Sequence, residues 1–231
     1  MERCVEPEWL DHLAADDPGA AGSRRDLRRL NTCMGHAGFV SAALRSAAVS
    51  SPPRRVVELG GGDALFLLRV ARRLVDQWPS VHATIVDRQA LVSPATRAAF
   101  AAVGWQLDTE KADVFDWLEQ EPEQPSGVWI CNLFLHHFAR EQLTRLLVEA
   151  ALRVQMFVAL EPRRSAWCLA FSRLVGFIGC NSVTQHDAPA SVRAGFAGHE
   201  LSPLWPANAG WRLTEGAAGL FSHRFVAQRI H

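Results

Sequence analysis

Hydrophobic residues along this chain gather into short continuous runs, separated by longer stretches with helical spacing. From Arg55 onward, Val56-Val57-Glu58-Leu59, Ala83-Thr84-Ile85-Val86-Asp87, Trp105 to Leu107, Val128-Trp129-Ile130-Cys131 and Phe157-Val158-Ala159-Leu160 read as buried strands. Helical stretches lie between them: Ala64 to Trp78, Pro94 to Val103 and Arg140 to Leu152, with an amphipathic segment from Ser165 to Ile178 after the last run. This alternation predicts an α/β fold of parallel strands joined by crossover helices. The ending differs. Gly210 to Thr214 and Ser222 to Gln228 flank a loop with Gly216 and Gly219 that is too short for a helical crossover, so the last two strands are expected to pair antiparallel.

The first fifty residues form a separate helical piece. Asp17-Pro18-Gly19 is read as a turn, Ser23 as the cap of a helix from Arg24 to Leu30, and Phe39 to Val49 as a second helix stopped by Ser51-Pro52-Pro53. The division expected is residues 1–52 as a helical appendage and 53–231 as one α/β domain, in keeping with 231 residues of which 48% are hydrophobic.

Charge narrows the range of ligands. Lys+Arg and Asp+Glu tie at 24 each, so no net field draws the chain to a nucleic acid or an anionic lipid surface, and a small molecule is the expected partner. The five cysteines are scattered without a C-x-x-C pair, which fits a reducing cytoplasm. Glu2 and the acidic stretch after it do not look like a secretory signal. The longest apolar stretch, Ala166 to Cys180, is interrupted by Arg173 and falls short of the ~20 residues of a membrane span.

The sharpest local signal is Val56-Val57-Glu58-Leu59-Gly60-Gly61-Gly62-Asp63-Ala64, a strand running through glycines into a helix. Glycines there let backbone approach a ligand closely, and the helix N-terminus beyond attracts polar groups. Leu65 stands where a dinucleotide fingerprint needs glycine, and the Gly-Lys-Ser/Thr of a Walker loop is missing. The segment resembles the E/D-x-G-x-G-x-G loop of class I S-adenosylmethionine-dependent methyltransferases of the small-molecule type, with Ala64 in place of the last glycine. The resemblance implies a Rossmann-like, doubly wound sheet of seven strands in the order 3-2-1-4-5-7-6 with strand 7 antiparallel, and it makes the N-terminal helices a lid. It implies S-adenosylmethionine as cofactor and S-adenosylhomocysteine as product.

The same resemblance distributes roles along the chain. Glu58, Gly60, Gly61 and Gly62 would form the cofactor loop, Asp87 with Arg88 would meet the ribose, and Asp113 with Val114 and Phe115 would border the adenine. Asn132, in Asn132-Leu133-Phe134-Leu135-His136-His137-Phe138, would line the cleft beside the transferred methyl, with Phe134 and Phe138 as aromatic walls around the sulfonium. Catechol-type enzymes hold magnesium through a carboxylate at this strand end. Asn132 is not one, so no metal is expected. Arg29 or Asn31, in the arginine-dense stretch of the lid, would clamp the cofactor carboxylate.

Residues 163–205 correspond to an insertion that forms the acceptor pocket in this family, here with Trp167 and Phe171 on one helix and His186-Asp187 in the stretch that follows. The expected reaction is methyl transfer to a small, apolar, aromatic or phenolic metabolite, O-methylation preferred over C-methylation. His136, His137 or His186 would take the proton, with Asp187 orienting His186. The same aromatics read equally well as packed core, with Asp187 capping a helix from Pro189, and an exposed face of Trp167 to Ile178 would serve a homodimer or a substrate channel. Two other classes stay open: a methyltransferase-fold binding protein without turnover, and a nicotinamide-dependent oxidoreductase.

Overall fold

The structure is a computed structural model of the chain and describes residues 1–46, 53–123, 127–206 and 210–230. Strands β1 (Arg55–Leu59), β2 (Val81–Asp87), β3 (Trp105–Lys111), β4 (Val128–Asn132), β5 (Met156–Pro162), β6 (Trp211–Ala218) and β7 (Ser222–Arg229) form one sheet in the order β3-β2-β1-β4-β5-β7-β6. β7 runs antiparallel to both its neighbours, and the pairings among β1 to β5 are parallel. β4 and β5 are buried along their whole length, which is why they read as unbroken apolar runs rather than as alternating ones.

Helices α1 (Trp9–His12), α2 (Pro18–Cys33) and α3 (His36–Ser46) precede the sheet. Crossovers follow as α4 (Leu65–Leu74), α5 (Pro94–Ala102), α6 (Val114–Leu118) and α7 (Arg140–Arg153), and the stretch between β5 and β6 holds α8 (Ala166–Ser172) and α9 (Ser182–Ala194). One core lies between the sheet and α3, α4 and α5, around Leu67, Phe100 and Trp105. The other packs α6 and α7 on the opposite face, around Trp129, Phe157 and Leu147.

The N-terminal piece departs from expectation in two ways. Asp17-Pro18-Gly19 is not a free turn: Asp17 accepts from Ala20 N at 3.0 Å and Pro18 occupies the first helical position, so α2 begins there. Ser23 is therefore interior to α2, buried, with its hydroxyl receiving Thr184 Oγ1. The end of the second N-terminal helix beyond Ser46, the Ser51-Pro52 stop and the 52/53 boundary lie outside the described residues.

α9 departs as well. Asn181 caps it by accepting from Thr184 N at 2.9 Å, and the helix runs on through Pro189. Asp187 is thus mid-helix and not a cap of its own helix. Its carboxylate instead accepts from Trp9 N at 2.9 Å and Leu10 N at 3.0 Å, tying the start of α1 to α9.

Candidate active site

β1 delivers its chain into Gly60, whose φ of +69° and position under the Phe134 ring admit no side chain: a Cβ would lie 2.2 Å from Cδ2. Glu58 folds back beneath the loop, where a Cβ on Gly61 would come within 2.9 Å of Oε2. Burial pushes the Glu58 carboxyl well above the usual range, and the nearby Asp63 and Asp87 add to the effect. At Gly62, with φ +53°, a Cβ would meet only Leu91 Cδ1, at 4.0 Å. Its N–H donates to Asp87 Oδ2 at 2.9 Å, while Gln89 N donates to Oδ1 at 2.8 Å. Burial raises the Asp87 carboxyl, with these two backbone donors opposing. Ala64, where the resemblance expects glycine, takes a left-handed φ of +61°.

The N-terminal helices reach this loop through Arg28 of α2, which pairs with Asp63 at 2.6 Å. Arg29 instead turns to Asp26 and to the carbonyl of Ile178 and is more than half exposed. Asn31 lies on the cavity wall with Oδ1 buried and without a hydrogen-bond partner. Beyond β3, Asp113 caps α6 by accepting from Phe115 N at 2.9 Å. That cap sets Val114 and Phe115 at the wall, where Phe138 meets Phe115 and Phe134 edge-on at 5.5 and 5.0 Å between ring centroids.

At the end of β4, Asn132 Oδ1 lies 2.7 Å from Nδ1 of the fully buried His36, whose Nε2 lies 2.6 Å from Ser222 Oγ. Burial lowers the His36 imidazole, which favours the neutral ring in this relay. The next turn carries the histidine pair. His136 is buried, with Nδ1 2.8 Å from Glu161 Oε2 and Nε2 3.4 Å from Glu8 Oε1. Burial alone would lower this imidazole, but the two carboxylates overcome that and raise it to about 9. His137 is partly exposed and pairs through Nδ1 with Asp11 at 3.1 Å.

The loop, the aromatic cluster and the histidine pair open into one cavity of about 1180 Å³. It is walled by Glu58, Gly60, Gly61, Gly62, Asp87, Arg88, Asp113, Val114, Phe115, Asn132, Phe134, His136 and His137, and by Phe171, Val175 and Ile178 from α8 and the turn after it. Besides Arg29, three expected residues fall elsewhere. His186 stacks flat on Trp9 at 3.8 Å and Asp187 is spent on the start of α1, so neither is on the wall. Trp167 is 60% exposed and points away. The wall gains Glu8, Asp11 and Arg28 instead, and behind it His36 and Glu161 hold Asn132 and His136. Glu161 carries a faint sequence signal, an acid at the end of a wholly apolar strand. Glu8 and His36 carry none.

No family model matches the sequence, and no curated protein matches it. Solved structures do. An O-methyltransferase family protein from Burkholderia thailandensis superposes with a TM-score of 0.63 at 17% identity, over 94% of this chain and 61% of that one. The plantazolicin methyltransferase BpumL, in complex with SAH, gives 0.62 at 12% identity over 93% of this chain and 91% of that one. The fold is that of the class I methyltransferases. Mitomycin 7-O-methyltransferase MmcR shares it at 17% identity and a TM-score of 0.59, over 96% of this chain and 60% of that one. The chain therefore spans about three fifths of the Burkholderia protein and of MmcR, and most of BpumL.

Among the described residues two buried oxygens on the wall, Glu58 Oε2 and Asn31 Oδ1, have no hydrogen-bond partner and are open to a ligand's polar groups. Among the described residues no helix is long and apolar enough to cross a membrane.

Proposed function

We propose that the chain is an S-adenosylmethionine-dependent methyltransferase acting on a small, apolar, aromatic or phenolic metabolite, with oxygen as the preferred nucleophile. The observation that carries this reading is the shared cavity. A glycine loop braced by Asp87 forms one end of it, and an apolar wall with a histidine pair forms the other.

Glu58, Gly60, Gly61, Gly62, Asp87, Arg88, Asp113, Val114, Phe115 and Asn132 hold the cofactor. When bound, it supplies an activated methyl on a cationic sulfonium. Phe134 and Phe138 keep water out of the region between the two ends, and Phe171, Val175 and Ile178 receive the apolar body of the acceptor. Alignment is the main task of these walls.

His136 is fixed between Glu8 and Glu161. His137 has Nδ1 on Asp11, which leaves Nε2 to take the acceptor proton. His186 and Asp187 belong to the packing of the N-terminal segment. The test is turnover: methyl-labelled S-adenosylmethionine with a panel of small phenols and naphthols, read as label in a product heavier by one methylene. Transfer is expected with wild type and with His186→Ala, and is expected to be reduced with His137→Ala. No transfer to any phenol, with transfer to amines instead, would overturn the acceptor class.

A further inference from the structure

His136 and His137 are wired alike. Each commits Nδ1 to a carboxylate, Glu161 at 2.8 Å and Asp11 at 3.1 Å, so each leaves Nε2 to meet something else. A carboxylate behind each imidazole is the arrangement that orients metal-ligating histidines and makes them better donors. Glu8 completes the set. Donor atoms of Glu8, His136 and His137 all lie within 4.8 Å of one another, with the Glu8 Oε1 to His136 Nε2 distance already 3.4 Å. Ligands at the usual distances around a tetrahedral zinc ion stand about 3.4 Å apart, so this trio closes on a cation with side-chain movements of roughly an ångström.

A second observation points the same way. His136 Nε2 is buried on the cavity wall and makes no well-formed hydrogen bond among the described residues, its nearest partner being Glu8 Oε1 at 3.4 Å. Charge agrees as well. Three carboxylates, Glu8, Asp11 and Glu161, crowd two imidazoles, and the nearby guanidinium of Arg3 is engaged by the carbonyls of Ala194, His136 and Phe138. Arg88 lines the same cavity and acts electrostatically on Asp11.

We infer that Glu8, His136 and His137 form a binding site for a divalent cation of the zinc class, with Glu161 and Asp11 as its supporting carboxylates. Two imidazoles and one carboxylate favour zinc or cobalt over magnesium. The site leaves a coordination position open to the cavity, where water or an acceptor oxygen would bind. That last role rests on the methyl-transfer reading, and in the loaded form His137 acts as a ligand instead of a base.

The test uses full-length protein stripped with a chelator. Zinc binding is measured by competition with a chromophoric chelator, cobalt by its visible absorption, and SAH by calorimetry on the same preparation. One zinc per chain is expected, weakened by Glu8→Gln and by His137→Ala at least as much as the roughly 10–100-fold that loss of a supporting carboxylate costs. The exposed histidine variant His82→Ala and the exposed thiol variant Cys4→Ser should bind as wild type does. His137→Ala carries the test should Glu8→Gln fail to fold. Absence of saturable binding, binding kept in both ligand variants, or binding lost in Cys4→Ser overturns the site. Zinc bound without SAH leaves the metal site standing and removes the cofactor reading instead.

Discussion

The carboxylate of Glu161 accepts from Nδ1 of His136 at 2.8 Å and, with the same two oxygens, from the backbone N–H groups of Phe134, Leu135 and His136. A side chain at the end of β5 therefore shapes the turn after β4 that carries the histidine pair. Fully buried, the Glu161 carboxyl would be pushed up, but these donors, His136 first among them, hold it below the usual range. Glu161→Gln keeps the shape and removes the charge. Breaking a buried pair of this kind costs about 3–5 kcal/mol, a fall of roughly 6–20 °C in Tm for a chain of this size. Thermal unfolding checks this. An unchanged midpoint would mean the pair contributes nothing to the fold.

Gly60 and Gly62 share a left-handed backbone but differ in what surrounds them. Gly60→Ala drives a Cβ into Phe134, whereas Gly62→Ala meets no protein atom closer than 4.0 Å. Both variants carry the backbone cost of about 1 kcal/mol. Gly62→Ala should stop there in stability yet weaken SAH at least tenfold, about 1.4 kcal/mol. Urea unfolding and calorimetry on the two variants separate the effects. Equal SAH affinity for Gly62→Ala and wild type would place the ligand elsewhere.

Asp187 fastens the start of α1 to α9 through two N–H donors. Asp187→Ala should cost about 1–2 kcal/mol, by analogy with the loss of a helix cap. Amides of Trp9 and Leu10 should then exchange faster in hydrogen-exchange measurements while those of β4 and β5 stay protected. Since Glu8 and Asp11 lie on this segment, turnover should fall more than SAH affinity does. Uniform loss of protection across the sheet would contradict a local role.

Glu215 on β6 gives the fold an acid-sensitive latch. It accepts from the N–H groups of Leu201 and Ser202, from Ser202 Oγ and from His223 Nε2, and these donors outweigh burial to hold its carboxyl at about 2. A carboxyl lower in the folded than in the unfolded chain stabilises the fold above the unfolded value of about 4.3, and the gain is lost as pH falls from there through about 2. Glu215→Gln should lose about 1–3 kcal/mol at pH 7 and show a flatter stability profile between pH 5 and pH 2. Urea titrations across that range decide it. Parallel acid limbs for variant and wild type would show that other carboxyls govern acid unfolding.

The centre of the sheet was legible because β4 and β5 are buried on both faces and read as period-free apolar runs, whereas the edge strands β3 and β6 are largely exposed and were marked by their flanking turns. The glycine turn after β1 was legible because it lies within one short segment, Glu58 to Ala64. The histidine end of the cavity was not. Glu8, His36 and Glu161 reach the turn after β4 from three distant parts of the chain, and only tertiary packing brings them together. His186-Asp187 illustrates the reverse error. A paired histidine and acid next to each other in sequence do form a hydrogen bond, at 2.8 Å, but α9 points them at the N-terminal segment and away from the cavity.

The most direct test of the account is a calorimetric titration of the purified chain with SAH, with NAD and Asp87→Ala as controls. One SAH per chain, no heat with NAD, and at least tenfold weaker SAH binding to Asp87→Ala, about 1.4 kcal/mol, is the result the cleft geometry predicts. NAD binding without SAH, or SAH binding indifferent to Asp87, would contradict it.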